Sequence, residues 1–299
     1  MEARVLFVHA LSPLHAGVGQ GAGAIDLTVA REKATGLPYL PGSSLKGVLR
    51  DKCSDANKRT KIFGPETDRA HEHAGAVQIT DQRLLLFPVR SLKGTFAWVT
   101  SPYVLRRFLR DVDMVKGLEG IPDRVPEPSC LSSCLVPPDK SSVILNGKVI
   151  LEDLDLDADQ DEYACRWAAW LGRQLFPNDH DWQGVLAARF CVVHDDVLSF
   201  LLDTATEVFA RVRLKDEEKT VERGGLWYEE ALPAETVLAG LVVATPVVAG
   251  TLGKVEPKEV FTTVSDLVQE PLQLGGKATV GRGLCRVLLV EGGKDRADA

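Results

Sequence analysis

The stretch LHAGVGQGAGAIDLTVAREKATGLPYLPGSSLKGVLR, from Leu14 to Arg50, places a glycine-rich loop, a lone carboxylate at Asp26, a Pro/Gly turn and a basic helix start within one supersecondary unit. Ahead of it, Arg4 to Leu11 is an apolar run rich in Val, Leu and Phe that ends at Ser12-Pro13, the pattern of a buried strand. Behind it, after Leu40-Pro41-Gly42, Ser43 or Ser44 is placed to cap a helix running toward Cys53. A strand, a glycine loop and a helix in that order admit a dinucleotide fold, because Gly17 to Ala22 carries the letters G-x-G-x-x-A. The continuation AIDLTVARE removes it: the run is β-branched and has no helical apolar period, so no helix N-terminus faces a pyrophosphate. The glycines then read as a loop that carries Asp26 outward, with a plain surface turn as the alternative.

In PGSSLKGVLR, Lys46 and Arg50 lie four apart on one helix face, where like charges repel by roughly 0.2–0.5 kcal/mol unless an anion sits between them. The hydroxyls of Ser43 and Ser44, the unpaired amides of the first turn and the helix dipole suit a phosphate. A solvated basic helix is the other reading. The late loop LGGKATVGRG, Leu274 to Gly283, lacks the order of a phosphate-binding ATPase loop, since Gly275-Gly276-Lys277 is followed by Ala278. Lys277 and Arg282 amid its glycines make a cationic loop suited to backbone phosphate, or a tight turn.

The net charge of −7 hides a segregation. Residues 1–110 hold 16 Lys and Arg against 9 Asp and Glu, while residues 111–299 hold 19 against 33. Such asymmetry suits polyanion binding, and equally two halves that neutralise each other. At 299 residues and 45% hydrophobic, the chain has material for a sizeable core. The longest apolar run, Val237 to Gly250, is broken by Pro246 and too short to span a bilayer, so no membrane contact is expected and the cytoplasm is the default. Six cysteines form no CxxC pair, which disfavours zinc, and Cys130 and Cys134 read as free thiols in a Pro/Ser loop. The acidic run Glu152 to Glu162 fails as an EF-hand, with Gln160 and Arg166 where Gly and Glu are needed, and reads as a solvated loop or a face toward a basic neighbour. His71-Glu72-His73 near Asp68 lacks helical zinc spacing and reads as a polar loop. His15 and Asp26 are placed to act together near a phosphodiester, as base and as metal ligand or electrostatic helper.

Along the rest of the chain, strands are expected over Val77–Val89, Val143–Leu151, Ala187–Val193, Val237–Thr245 and Leu284–Val290. Helices are expected over Pro102–Val112, with Arg106, Arg107 and Arg110 on its polar side, Tyr163–Leu175, with Trp167 and Trp170 toward the core, Asp195–Asp203, with a capping aspartate, and Pro257–Val268. Residues 113–142 read as a loop-rich excursion. Glu207–Leu214 and Leu226–Ala231 flank KDEEKTVERGG as a long hairpin. The class is α+β, built on ferredoxin-like β-α-β units.

The combination PLHAGVGQGAGAIDL, TGLPYLPGSSLKGVLR and GGKATVGRG, with KTVERGGLWYEEALP between the last two, resembles the RAMP superfamily of CRISPR proteins, most closely the backbone subunits of type III Cmr effector complexes. The motifs occur in the family's order from the first strand to the last glycine loop; residues 113–142 and the acidic run have no match. The resemblance implies a single domain over residues 1–299, a modified ferredoxin-like, RRM-like palm with an inserted thumb hairpin at about 211–232. It implies copies stacked in a helical filament along a guide RNA beside other subunits of the complex, and cleavage of complementary target RNA at regular intervals. Asp26 matches the family's loop aspartate required for divalent-metal-dependent cleavage, with Mg2+ or Mn2+ as the cation. Ser43, Ser44, Lys46 and Arg50 would hold guide phosphates, with Lys277 and Arg282 near the same strand. His15, Glu222 and Tyr228 are candidates for acid and base. An architectural RNA-binding subunit without catalysis and a guide-processing endoribonuclease are the alternatives.

Overall fold

The computed structural model describes residues 1–20, 25–66, 68, 71, 73–215, 218, 220–248 and 253–290. Its centre is the strand Glu2–Ala10, where the run Val5–Val8 is buried on both faces, as an unbroken Val/Leu/Phe sequence demands. Val237–Ala244 pairs with it antiparallel over eight residues, from Glu2↔Ala244 to His9↔Val237. Leu284–Leu289 pairs on its other side, and Val77–Ile79 and Gln82–Arg90 lie beyond Val237–Ala244, all antiparallel. Helix Gly42–Lys52 follows the first strand in sequence, and helix Pro257–Leu267 joins Val237–Ala244 to Leu284–Leu289. Each connects two strands that straddle a third.

Both faces of this sheet are covered. On one side Arg4 lies over the Phe261 ring of helix Pro257–Leu267. On the other, Phe7 meets Phe108 of helix Pro102–Val112 and Trp170 of helix Glu162–Leu175, whose Trp167 completes the cluster. The sheet runs on through Phe96–Thr100, Phe190–Val193, Ser133–Val136, Leu154–Gln160, Lys148–Leu151 and Ile144–Leu145, giving thirteen strands with Tyr39–Leu40 and Val77–Ile79 on its branches. Among the described residues there are seven α-helices, so the class is mixed α+β. No described helix is long and apolar enough to cross a membrane.

Several expectations are corrected. The acidic run is not a loop: Leu154–Gln160 is a strand whose Asp155, Asp157 and Asp159 point to solvent while Leu156 is buried. The period of two was present and charge obscured it. Residues 113–142 contain the fully buried strand Ser133–Val136. Val77–Val89 divides in two at Thr80-Asp81, and Val143–Leu151 divides at Asn146-Gly147, both residues at positive φ. Ala187 lies in the last turn of a helix, His180–Arg189, capped by the Asp179 carboxylate, and the strand begins only at Phe190. Helix Asp195–Thr204 is capped by His194 rather than an aspartate. Arg107 does not face solvent with Arg106 and Arg110; it is buried and donates to Glu32 Oε2 at 2.7 Å. A propensity pattern places the side chain on the helix but cannot see a carboxylate arriving from residue 32.

Candidate nucleic-acid interface

With both faces of the large sheet covered around Glu2–Ala10, an exposed apolar strand surface lies on a second sheet of four strands, Glu207–Leu214, Val221–Ala231, Leu27–Val29 and Gly17–Gln20 in spatial order. Its first two strands form the hairpin, in register from Glu207↔Ala231 to Val212↔Leu226, with an irregularity before Leu214↔Val221. Gly224, at φ 75°, supplies the turn in the backbone there that other residues resist. Alternation splits the hairpin into two faces. Val208, Val212, Leu214, Leu226 and Tyr228 are exposed, whereas Gly225 and Glu229 on the opposite face are buried. An apolar stripe left in solvent on a two-stranded arm marks an interaction surface.

The loop strand meets this hairpin at its root. Asp26 is exposed, and its Oδ2 accepts a hydrogen bond of 2.8 Å from the Tyr228 amide. Leu27 pairs in parallel with Glu229. His15 sits beneath, buried, with Nδ1–H donating to the Glu230 carbonyl at 2.6 Å and its main chain bridged to Gly276. A Cβ on Gly275 would collide with the His15 carbonyl, so the second glycine loop is glycine where two backbones touch. This geometry leaves Nε2 as the nitrogen of a neutral His15 able to take a proton. Residues 21–24 of the first glycine loop lie outside the described residues.

The second loop brings its cations to the same root. Lys277 Nζ pairs with Glu229 Oε1 at 2.8 Å. Arg282 is buried, its guanidinium 3.5 Å from the centre of the Phe209 ring and 3.7 Å from Glu207 Oε2. Burial raises the Glu207 pKa, opposed by the Arg282 charge. Glu229 is the hub: it also accepts from Trp227 Nε1 at 2.8 Å and faces Arg211 Nε at 3.4 Å. Burial alone would raise its pKa, but the bonds from Lys277 and Trp227 and the charges of Lys277 and Arg211 outweigh burial and hold it below the ordinary range. Sequence reasoning missed Glu229, Trp227 and Arg211. The signal was WYEE itself, since two adjacent acids on a strand point to opposite faces and each needs its own cation.

The helix Gly42–Lys52 forms a separate group. Ser43 and Ser44 are exposed in its first turn, but neither caps it: the N-cap is Pro41, and the Gly42 N–H donates to Asp81 Oδ1 at 2.9 Å. Lys46 has its pKa lowered, first by burial and then by Arg50. Arg50 donates to the Gly64 carbonyl, at the end of helix Ala56–Phe63, and pairs with Glu66 at 3.1 Å. Glu222 stands apart from both groups, 3.8 Å from Arg213 and six residues along the strand from Tyr228, a separation of roughly 20 Å.

Among the described residues no group of three or more His, Cys, Asp or Glu is arranged to hold a metal. Asp26 still fits one kind of site, because Mg2+ and similar ions commonly take one or two carboxylates and complete their shell with water and substrate phosphates. Its Oδ1 makes no hydrogen bond among the described residues.

A family model for the RAMP superfamily matches residues 7–286. The chain is 36% identical over 305 residues to the CRISPR system Cmr endoribonuclease Cmr4 of Pyrococcus furiosus, covering 97% of each. It is 25% identical over 309 residues to the CRISPR system CMR subunit Cmr4 of Saccharolobus solfataricus, covering 93% of each. The crystal structure of oligomeric Cmr4 from Pyrococcus furiosus superposes with a TM-score of 0.72 at 28% identity, over 97% of this chain and 99% of that one. A chain from the cryo-EM structure of the Type III-B Cmr-beta bound to cognate target RNA shares the fold, with a TM-score of 0.72 at 19% identity over 97% of each chain.

Proposed function

The chain belongs to the RAMP superfamily, and we propose on that footing that it is the RNA-binding backbone subunit of a type III CRISPR ribonucleoprotein, cleaving target RNA paired to the guide it holds. The observation that carries the reading is Asp26, an exposed carboxylate fastened by the Tyr228 amide to the root of an arm with an exposed apolar face. The strand order, in which two β-α-β units interleave, supports reading the large sheet's core as a modified ferredoxin-like palm, with the hairpin as its thumb within one domain.

The residues divide the work. Exposed Val212, Leu226 and Tyr228 offer an apolar edge on which a displaced base rests, and a base out of the stack lets the target backbone adopt the in-line geometry that cleavage needs. The Tyr228 amide fixes the Asp26 carboxylate toward the scissile phosphate. A divalent cation, Mg2+ or Mn2+, held by Asp26 together with RNA oxygens would supply Lewis-acid charge at that phosphate. His15 through Nε2 and Tyr228 through its hydroxyl are the groups at this corner able to move a proton. Glu222 is better read as the partner of Arg213 near the hairpin tip. Guide phosphates lie along Ser43, Ser44, Lys46 and Arg50, with Lys277 and Arg282 bracing the hairpin beside the same strand. Pairing to the guide supplies sequence specificity, while the protein reads shape and backbone. Other copies of the chain, the remaining subunits of the complex and a cytoplasmic setting follow from this role.

In the assembled complex, Asp26→Asn is expected to lower target cleavage by at least about 10²-fold with guide and target binding retained, the scale seen when one group acting only in the transition state is removed. Cleavage at the wild-type rate would make the chain architectural. Specific cutting of precursor RNA by the isolated protein would make it a guide-processing nuclease instead.

A further inference from the structure

The strand that carries Asp26 is barely paired to the hairpin. Leu27–Val29 meets Val221–Ala231 through one register pair, Leu27↔Glu229, and beyond it a side chain does the work of a ladder. The carboxylate of Glu230, 4% exposed, accepts from the Val29 amide through Oε2 at 2.9 Å and from Arg31 Nη2 through Oε1 at 2.7 Å. Val29 is buried, and among the described residues the Glu230 carboxylate is the acceptor its amide finds, one that removal of Glu230 would take away. Arg31 is itself anchored, donating to the Leu202 carbonyl at 2.7 Å and to the Gly36 carbonyl at 3.0 Å. Beneath, the Glu230 carbonyl takes the His15 Nδ1–H. The loop strand is thus tied to three successive hairpin residues, Tyr228, Glu229 and Glu230, and only the middle one uses strand pairing.

We propose that Glu230 is a positioning residue for cleavage: by fixing the register between the Asp26 strand and the hairpin, it presents one phosphodiester, at a set distance from the hairpin, to Asp26. The proposal rests on the reading of Asp26 given above. A buried acid–guanidinium pair adds little net stability compared with an apolar pair of the same volume, so its distinctive contribution is direction. Two oxygens that must meet one amide and one guanidinium admit a single placement of the strand. A glutamine keeps an oxygen for Val29 but turns its NH2 toward the donors of Arg31, which loosens that placement and leaves the fold's core untouched.

The test uses the assembled complex with target RNA, reading RNA affinity, cleavage rate and product ends at single-nucleotide resolution. Glu230→Gln is expected to leave affinity unchanged, slow cleavage by about ten- to a hundredfold, as small misplacements of a reacting group do, and spread the cuts onto neighbouring phosphodiesters. Arg31→Lys keeps the charge but not the planar fork and should give the same spread, more weakly. Cutting at the same bond and rate in Glu230→Gln overturns the proposal. So does a rate that falls together with affinity and assembly without any spread, the mark of structural support alone. If Glu230→Gln does not assemble, Arg31→Lys is judged by the same criteria. Asp26→Asn runs in parallel: persistent cutting there removes the premise and the proposal with it, whereas a silent Asp26→Asn beside an unaltered Glu230→Gln removes only the positioning role.

Discussion

The first strand, Glu2–Ala10, and the first hairpin strand, Glu207–Leu214, are of similar length and both carry Val and Phe, yet they spend their apolar residues in opposite ways. In the first, Val5, Leu6, Phe7 and Val8 are all fully buried between two helical layers. In the second, Val208, Val212 and Leu214 are each about half exposed, while Phe209 lies under Arg282. The first strand satisfies itself within the chain and so specifies the fold. The hairpin keeps an apolar face uncovered, which a monomer tolerates only where something else is meant to cover it. Stability and function therefore sit in different places, and substitutions should separate them.

The largest separation is expected between Phe7→Ala and Leu226→Ala. Phe7 is locked against Phe108 and Trp170, and its truncation should destabilise the protein by about 3–5 kcal/mol, a large share of a typical domain's total. Leu226, 53% exposed, should cost less than about 0.5 kcal/mol in urea unfolding while slowing target cleavage in the assembled complex. Equal losses of stability would mean that the hairpin is packed like the core, and the contrast would fail.

A smaller effect, confined to acid, sharpens the comparison at the hairpin root. The Glu229 pKa is depressed in the folded state, because Lys277, Trp227 and Arg211 together outweigh its burial. A depressed carboxylate contributes stability that is complete above its unfolded pKa of about 4.3 and is lost as pH falls through the lower folded value. Wild type should therefore exceed Glu229→Gln in stability at neutral pH, with the gap closing only below about pH 4.3. A gap that instead widened in acid would assign the shift the wrong sign.

The fold was legible where one period ruled a whole element. The helix Pro102–Val112 and the strands Glu2–Ala10 and Leu284–Leu289 appear within a residue or two of their expected bounds. It was illegible where charge masked a period, as in Leu154–Gln160, and where a cap set the boundary, as at Asp179. At the candidate site, Asp26, His15, Tyr228, Lys277 and Arg282 could be named from their types and from family resemblance, and they converge on one corner. Their common partners could not be named. Glu229 and Glu230 are ordinary strand residues by composition, and they become a hub and a clamp only when residues 26–31 and 277 arrive from more than forty positions away in sequence. Lone acids beside aromatic residues in a strand are weak evidence until the fold supplies their cations.

The smallest expected effect concerns the helix Gly42–Lys52, and it tests whether the cations of the two regions are equivalent. Lys277 and Arg282 already have carboxylate partners within the chain, and Arg50 is shared with Glu66 and Gly64. Lys46 has no ion pair among the described residues, and both its partial burial and its neighbour Arg50 lower its pKa, so it gains more than the others from an arriving phosphate. Lys46→Glu should then weaken RNA association for every sequence alike and reduce the slope of log K against log salt by about one counterion. Lys277→Gln should change that slope less, because its positive charge is already met by Glu229 and few counterions are left to release. If the two variants shift the slope equally, the carboxylates at the hairpin root give way to RNA, and Lys277 holds phosphate directly instead of bracing the arm.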